Sequence, residues 1–444
     1  MDYRVIADKL AADVAAGRLR PGDRLPTQRR FARTHGIANS TASRVYGELV
    51  RRGLAVGEVG RGTFIRAAKP PVDPALAEPT GARVDLELNF SVLPEQSALL
   101  AEGLGRLLRP DVMRAALRPM GVSGTAAARE ASAAMLAHAG WKPEPDRISF
   151  AGNGRQAIAG AIAALVPTGE RLGVEALTYP LVKGIAARLG VNLVPLEMDG
   201  DGVLPASLAA VHRATPLSAV YLQPTLHNPL GITMPESRRE QVAETLDLLG
   251  LPVIEDRIYG FLRDDLPPLA AFAPERTVLI DSLSKRLAPG LSLGFVVSPE
   301  GFGDRVAAAT RSGTWLAPGF AVEAATCWMT DGTVEKVVKG KKRDAAARQA
   351  IAAERLAGFT LRADPRAFHC WWELPEPWRA ETFVAAAARR GIAVTPAAAF
   401  TVGEGHAPNA VRLALSSPDL DVLSSALDVL AGLARGTPDD AAVD

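Results

Sequence analysis

Lys285 lies in an apolar stretch, which is an unusual place for an ammonium group. Its surroundings, DSLSKRLAPGLSLGF at residues 281–295, place it between two runs typical of buried strands. Asp256 ends another such run, LPVIED, and Tyr259 follows it shortly, while Asn228 comes after the run SAVYLQP. Ligands bind beyond the carboxyl ends of strands in open α/β sheets. We therefore expect these side chains to face one crevice.

An amine, a carboxylate and two groups able to contact a ring oxygen suit pyridoxal phosphate as a cofactor. The lysine can form a Schiff base, and the carboxylate keeps the pyridine nitrogen protonated. Tyr179 offers an aromatic face for the ring. The turn GNGRQAI opens a helix, and free N–H groups at a helix N-terminus bind phosphate. The candidate phosphate ligands are Gly154, Arg155 and Gln156 in that turn, with the hydroxyls of Ser282 and Ser284.

The apolar periodicity predicts an α/β fold that positions these residues. The predicted helices lie at about 125–139, 154–166, 180–190, 205–213, 235–249, 300–310, 319–329, 331–357, 379–390 and 418–434. The predicted strands are RLGVE, NLVPLE, SAVYLQP, LPVIED, RTVLID, LGFVVS, AFHCWWEL and AVRLAL. Alternation of this kind favours a parallel or mixed sheet between helices, with a smaller α+β part towards the C-terminus.

The N-terminal residues predict a different, smaller module of three helices and a hairpin. Residues 3–17 form the first helix, Thr27 can cap the second, and Asn39 or Ser40 can cap the third. We expect the third helix to have an apolar face made by Val45, Leu49 and Val50.

A β-hairpin is predicted after the third helix, from LAVGEVGRGTFIR, with Gly60, Arg61 and Gly62 at its tip. In a helix-turn-helix the N-terminal end of the second helix of the motif enters the major groove of DNA. Here that end carries Ser40, Thr41 and Arg44, and the hairpin forms a wing suited to the minor groove.

The charge is divided unevenly along the chain of 444 residues, although its net value is only +1. Residues 1–68 hold 13 Lys or Arg and 6 Asp or Glu, a net of +7, which leaves −6 for the remainder. This division favours a polyanion partner, duplex DNA, for the first part alone.

Composition also excludes several classes of protein. The chain shows no apolar run long enough to span a membrane, no signal-peptide pattern and only two cysteines, Cys327 and Cys370. We therefore expect a cytoplasmic protein without disulfides. No His or Cys cluster accompanies either cysteine, so we expect no metal site.

The domain boundaries follow from these patterns. We expect a DNA-binding domain at residues 1–68, a proline-rich linker at 69–83, a cofactor-binding domain at 84–435 and a disordered tail at 436–444.

The N-terminal module resembles the winged helix-turn-helix of GntR-type bacterial transcription factors, through LPTQRRFA and GIANSTASRVYGELVRRGLAVGEVGRGTFI. The resemblance implies DNA contacts by Arg29, Thr41, Arg44, Arg61 and Gly62. Asn39 departs from it, because arginine is common there in the family, so the base preference at that point is expected to differ.

Residues 84–435 resemble the fold-type I aminotransferases through HNPLG, EDRIYG and SLSKRLAPGL. The resemblance implies that Lys285 is the Schiff-base lysine and Asp256 the pyridinium partner. It also implies that Asn228 and Tyr259 bind the ring oxygen, and that Arg412 binds a substrate carboxylate, a bidentate task suited to guanidinium. Taken singly, each of these residues also has a purely structural interpretation.

The two parts together resemble the MocR subfamily, GntR-type regulators with an aminotransferase-like effector domain. This implies a homodimer formed through the large domains and a cofactor or amino compound as effector. Two other interpretations stay open: a working pyridoxal phosphate-dependent aminotransferase that also binds DNA, and a DNA-binding protein whose large domain has lost the cofactor.

One position departs from the aminotransferase pattern at the expected phosphate site. Ser292 stands where the family commonly has an arginine for the cofactor phosphate, and the tyrosine-containing segment of the family is absent from LRPMGVSGT. Either the cofactor binds weakly and reversibly, or another cation compensates. Of Arg155 and Arg286 we favour Arg155, because it opens the helix that faces the phosphate.

The first prediction concerns DNA. Arg29→Ala and Arg44→Ala should weaken binding of an operator duplex, with a base contact by Arg44 contributing about 1–3 kcal/mol of discrimination. Binding should fall steeply as salt rises, since a domain of net charge +7 releases counterions. A gel-shift titration in which both variants bind as the parent does would refute this assignment.

Overall fold

The computed structural model describes residues 3–15, 18–19, 22–51, 54–58, 62–65, 82–117, 120–403 and 407–438. The chain divides into two compact units, residues 1–78 and 79–444. The domain boundaries expected at 68 and 84 stay predictions, since residues 66–81 lie outside the described ranges. The predicted hairpin tip at 60–61 and most of the predicted tail also lie outside them.

The first unit contains three helices and one antiparallel hairpin among its described residues, as predicted. They are α1 (Tyr3–Ala15), α2 (Gln28–His35), α3 (Asn39–Arg51), β1 (Ala55–Glu58) and β2 (Gly62–Ile65). Thr27 caps α2, because its hydroxyl accepts the Arg30 N–H at 3.4 Å, and α2 ends at Gly36 with φ 63°. The left-handed conformation is one that glycine adopts without strain.

The core of the first unit corrects the predicted face of α3. Val45 and Leu49 are fully buried, but Val50 is 46% exposed and Tyr46 is buried instead. Ala42, Val45, Tyr46 and Leu49 follow the i, i+3, i+4, i+7 spacing of one helical stripe, and Val50 lies about 100° beyond it. The Tyr46 hydroxyl donates to the Pro26 carbonyl at 2.5 Å, and burial raises the pKa of Tyr46 to about 12.

The second unit alternates helices and strands. Its strands are β3 (Val84–Leu86), β4 (Ile148–Ala151), β5 (Arg171–Glu175), β6 (Asn192–Leu196), β7 (Met198–Asp199), β8 (Gly202–Val203), β9 (Ala219–Leu222), β10 (Val253–Asp256), β11 (Thr277–Ser282), β12 (Gly294–Val297), β13 (Thr360–Ala363), β14 (His369–Glu373), β15 (Ile392–Pro396) and β16 (Ala410–Ala414). Its helices are α4 (Gln96–Leu107), α5 (Pro110–Ala116), α6 (Ala126–Leu136), α7 (Gly154–Leu165), α8 (Pro180–Leu189), α9 (Pro205–Ala214), α10 (Glu236–Leu249), α11 (Leu283–Arg286), α12 (Glu300–Ser312), α13 (Gly319–Thr330), α14 (Thr333–Arg355), α15 (Ala380–Arg389) and α16 (Leu420–Arg435).

A mixed seven-stranded sheet forms the centre of this unit, in the order β4-β12-β11-β10-β9-β5-β6. β12 runs antiparallel to both of its neighbours, and the other pairs are parallel. Side chains alternate between the two faces: Ile254 packs with α7 and α8, whereas Val253 packs with α9 and α10. Burial on both faces explains the continuous apolar runs seen in the sequence. The predicted α/β class is confirmed.

A second, five-stranded sheet has the order β13-β14-β16-β15-β3 and packs against α15, α16 and the end of α14. It is the predicted C-terminal α+β part, with one addition. β3, at the start of the unit, pairs in parallel with β15. Three residues are too few for a strand period to show in a sequence.

Neither cysteine forms a disulfide; Cys370 is buried in the core of the five-stranded sheet, and Cys327 in α13 packs against a different cluster. Within the described part of the chain no helix is long and apolar enough to cross a membrane.

The corrected face of α3 yields the second prediction. Leu49→Ala should destabilise the first unit by about 2–5 kcal/mol, because it leaves a cavity in the core. Val50→Ala, the matched control one residue away, should change stability by less than about 0.5 kcal/mol. Hydrogen exchange of α3 peptides in the full chain measures both. Equal effects of the two substitutions would show that the assigned face is wrong.

Candidate functional site

Parallel strands β9, β10 and β11 end side by side at one edge of the central sheet. β10 ends at Asp256, and β11 ends at Ser282 and leads directly into the short helix α11, which carries Lys285. The antiparallel β12 begins at this edge too, with Gly294 opposite Ser282. The fold thus brings the chemically active residues of distant segments to one crevice.

Lys285 is partly buried and has contacts with an N-terminal segment of the second unit. Its Nζ donates to the Asn89 carbonyl at 2.5 Å and lies 3.5 Å from the centre of the Phe90 ring. Burial lowers the pKa of Lys285 well below its ordinary value, and the positive charges of Arg155 and Arg412 lower it further. A lysine with a lowered pKa supplies a neutral amine, which is the nucleophilic form.

Asp256 is held by three hydrogen bonds. Its Oδ2 accepts from the Tyr221 hydroxyl at 2.5 Å and from Gln223 Nε2 at 2.9 Å, while its Oδ1 accepts from the Ile258 N–H at 3.0 Å. Burial raises the pKa of Asp256, and these hydrogen bonds oppose the rise. The carboxylate is therefore fixed in position at the end of β10.

Asn228, Tyr259 and Arg412 lie buried around the same crevice. Arg412 Nη1 donates to Asn228 Oδ1 at 3.4 Å, and Arg412 Nη2 donates to Thr395 Oγ1 at 2.9 Å and to the Glu87 carbonyl at 2.5 Å. The Tyr259 hydroxyl accepts from Asn89 Nδ2 at 2.9 Å. The second sheet thus contributes a guanidinium from β16 to a site built by the first.

The start of α7 meets a cluster of serine hydroxyls. Ser282 Oγ lies 3.2 Å from Ser284 Oγ and 3.0 Å from Ser292 Oγ. A Cβ at Gly154 would lie 3.0 Å from the Ser282 Cβ, so glycine lets the helix start approach these hydroxyls. Together the free end of a helix and a group of hydroxyls form an anion-binding arrangement.

Gln156 and Arg155, the other two residues predicted in this turn, differ in their surroundings. Asn153 caps α7, and its Oδ1 accepts the Gln156 N–H at 2.9 Å, so this N–H already has a partner. Arg155 is exposed, and burial raises the pKa of Tyr179 while the charge of Arg155 opposes this rise. The charge of Arg155 also reaches Lys285.

Arg286, the alternative cation, has a structural role. Its Nη2 donates to Asp281 Oδ2 at 2.5 Å, its guanidinium lies 5.3 Å from the Phe261 ring centre, and the residue is 5% exposed. A buried cation paired in this way is not available for a phosphate. Of the two arginines, Arg155 is the exposed one.

Several residues of the site were not predicted from the sequence. Lys341 is fully buried, and its Nζ donates to the Ser91 carbonyl at 2.7 Å, to the Lys285 carbonyl at 2.8 Å and to the Leu287 carbonyl. An ammonium group has three N–H donors, so Lys341 ties α14 to the turn that carries Lys285. Tyr221, Gln223 and Asn89 were missed as well.

The first unit presents its predicted contact residues on its surface. Arg29 in α2 and Ser40 and Arg44 in α3 are exposed, and Thr41 is half-buried. Arg61 lies outside the described residues, whereas Gly62 opens β2 with φ 122°. A groove of about 410 Å³ is lined by the start of α2, the segment before it, α3 and β2. The lining residues are Arg24, Leu25, Pro26, Thr27, Gln28, Arg29, Tyr46, Gly62 and Thr63.

Two family descriptions match the chain. "Aminotransferase class I and II" matches residues 113–430, and "Bacterial regulatory proteins, gntR family" matches residues 2–65. YdeF of Bacillus subtilis, an HTH-type transcriptional regulator, is 30% identical over 96% of this chain and 93% of its own length. The chain therefore belongs to the family of GntR-type transcriptional regulators that carry an aminotransferase class I and II domain, the MocR subfamily.

Other similar proteins include a regulator and an enzyme. PdxR of Corynebacterium glutamicum, an HTH-type pyridoxine biosynthesis transcriptional regulator, is 26% identical over 66% of this chain and 65% of its own length. LysN of Thermus thermophilus, an α-aminoadipate aminotransferase solved with N-(5'-phosphopyridoxyl)-L-leucine, matches with a TM-score of 0.70 and 22% identity, covering 80% of this chain and 92% of LysN. The likeness to LysN shows the aminotransferase fold.

Pyridoxal phosphate is the cofactor of this fold, and the residues of the crevice fit it. The crevice contains an amine with a lowered pKa and a buried carboxylate held by hydrogen bonds. It also contains the start of a helix beside a cluster of serine hydroxyls. In addition, the buried Arg412 Nε has no hydrogen-bond partner among the described residues, so the guanidinium can still donate to an incoming acceptor.

The third prediction concerns the phosphate end. Arg155→Ala should weaken pyridoxal phosphate binding about ten- to a hundredfold, because hydrogen bonds to charged groups contribute about 1.5–3 kcal/mol. Arg188→Ala, an exposed arginine at the end of α8, is the control. An equilibrium titration followed by tryptophan fluorescence measures the affinities.

Parent-like affinity of Arg155→Ala would contradict compensation by this residue. Ser292→Arg, which restores the residue common in the family, should then tighten binding strongly if the cofactor is held weakly.

Proposed function

We propose that this transcriptional regulator senses pyridoxal phosphate, an amino compound, or both, through the site around Lys285. The observation that carries the proposal is the convergence of Lys285, Asp256 and Arg412 from three segments on one crevice. Lys285 can bond to the cofactor aldehyde, Asp256 can bind the cofactor ring, and Arg412 can bind the carboxylate of an amino compound.

When bound, pyridoxal phosphate supplies an aldehyde that links covalently to an amine. Lys285 offers the neutral amine for this link, since its pKa is lowered by burial. Asp256 holds the ring nitrogen and its proton, and Asn228 and Tyr259 contact the ring oxygen. Ser282, Ser284, Gly154 and Arg155 would hold the phosphate, with Gln156 in the same turn, and Tyr179 would pack on the ring.

Arg412 selects the effector class in this proposal. A guanidinium on a rigid strand binds a carboxylate bidentately, which a lysine cannot do. Arg412 is in β16, which belongs to the smaller sheet, whereas Asp256 ends a strand of the central sheet and Lys285 follows one. An amino acid has an amine that could replace Lys285 on the cofactor aldehyde and a carboxylate that could bind Arg412.

Duplex DNA is the partner we propose for the first unit, with contacts from Arg29, Ser40, Thr41 and Arg44 and from the wing at Arg61 and Gly62. The exposure of the helix residues and the basic charge of residues 1–68 support this. A DNA partner also favours a cytoplasmic location.

We also propose a homodimer through the second unit. Val92, Leu108, Leu117 and Phe320 are large apolar side chains that are 48–78% exposed, and three of them lie on or beside α4, α5 and α13, which pack together. Apolar exposure of this kind marks a protein contact. The family resemblance implies the same arrangement.

An active aminotransferase is the second candidate function. The presence of Lys285, Asp256 and Arg412 together favours it, since this set serves turnover as well as sensing. Steady consumption of an amino acid and a 2-oxo acid would establish the enzyme, whereas a stoichiometric spectral change without turnover would establish the sensor.

The fourth prediction tests the lysine. Lys285→Ala should lose the pyridoxal phosphate mass that borohydride fixes to the parent chain, while Lys339→Ala, an exposed lysine of α14, should keep it. Asp256→Asn should keep the fixed mass but shift the visible absorbance, because an amide holds the ring proton less well. Mass spectrometry of tryptic peptides reads out the site. A fixed adduct on another lysine in Lys285→Ala would show that the anchor is misassigned.

A further inference from the structure

The segment Glu87–Ser91, called here the 87–91 segment, lies across the site. It directly follows β3, the first described strand of the second unit. Lys285 Nζ donates to its Asn89 carbonyl at 2.5 Å and lies 3.5 Å from the centre of its Phe90 ring. The amine expected to capture the cofactor is thus already bound by this segment.

The same segment also occupies Arg412, assigned to the ligand carboxylate, and Tyr259, assigned to the ring oxygen. Arg412 Nη2 donates to the Glu87 carbonyl at 2.5 Å, and the Tyr259 hydroxyl accepts from the Asn89 side chain at 2.9 Å. The Glu87 carbonyl thus binds the Arg412 guanidinium, where we expect a ligand carboxylate to bind. One short stretch of chain therefore engages Lys285, Tyr259 and Arg412 together.

Anchors outside the crevice keep the segment in place. Ser417 Oγ donates to the Leu88 carbonyl at 2.5 Å, and Ser416 Oγ donates to Asn89 Oδ1 at 2.7 Å. Lys341 binds the Ser91 carbonyl, and Ser91 Oγ donates to Asp344 at 2.8 Å. Ser417 is exposed, and it is not one of the residues assigned to ligand binding.

We propose that the 87–91 segment is an internal competitor for this site, which a ligand must displace from Lys285 and Arg412; the proposal rests on the function proposed above. When the neutral Lys285 amine condenses with an aldehyde, both of its hydrogens would leave with the aldehyde oxygen as water, so its hydrogen bond to the Asn89 carbonyl would be lost. A carboxylate forms stronger, charge-assisted hydrogen bonds than the Glu87 carbonyl does. The site therefore favours amino acids over amines without a carboxylate.

Hydrogen exchange of peptides covering residues 84–93, with and without pyridoxal phosphate alone, tests the displacement in the parent chain. Exchange at residues 89–91 should rise on loading. Ser417→Ala removes one anchor and should speed pyridoxal phosphate association about two- to tenfold, the range expected for one lost hydrogen bond. Ser425→Ala, which removes an equivalent bond from an exposed serine of α16 to the Asp421 carbonyl, should leave the rate unchanged.

Unchanged exchange at residues 84–93 in a chain whose Lys285 carries borohydride-fixed cofactor would overturn the competition while leaving the proposed function intact. Equal association rates for Ser417→Ala and Ser425→Ala would overturn it as well. Absence of any fixed cofactor on Lys285 in the parent would instead refute the proposed function.

Discussion

The burial of the Lys285 amine, which lowers its pKa, is the feature on which the rest of the site depends. Burial and the positive charges of Arg155 and Arg412 lower the pKa of Lys285, and Asp256 opposes them. An unfolded chain binds this proton more tightly, so the lysine reduces folding stability below its ordinary pKa, and stability rises as pH rises from the lowered pKa of the folded state to the ordinary pKa. The large apolar core around the central sheet offsets this destabilisation. The sheet also supplies the geometry, since its parallel strands end side by side at the lysine.

Much of this fold could be predicted from the sequence because its parallel strands are buried on both faces. A continuous apolar run marks such a strand, and the polar residue that ends it marks the functional edge, which is how Asp256 and Lys285 were found. Lys341 gave no such signal, because a lysine in the basic run VKGKKRD has the same sequence pattern as a solvated helix face. Asn89 and Tyr221 were missed because their partners lie 170 and 35 residues away, so only the tertiary fold shows the contacts. The predicted apolar face of α3 was wrong at one position, because it included the exposed Val50 and omitted the buried Tyr46.

The two units have different charges and different chemistry, and the family joins them in one regulator. The site of the second unit has the residues of an enzyme, yet its lysine and arginine contact the chain's own 87–91 segment. That segment follows β3, which follows the proline-rich stretch between the units. Lys285 and Arg412, the residues expected to bind the ligand, therefore form hydrogen bonds with the backbone that lies closest in sequence to this stretch. Sensing and turnover would both begin with the same exchange of partners at Lys285.

The pH dependence of pyridoxal phosphate attachment to Lys285 tests the central claim most directly. The attachment rate is measured by borohydride fixation at successive pH values, with Lys285 identified by peptide mass. Since burial lowers the pKa of Lys285 well below its ordinary value, the rate should reach its plateau well below about 10.4, the ordinary pKa of lysine. A rate that rises only as pH approaches the ordinary lysine value, or fixation on a different lysine, would contradict the account.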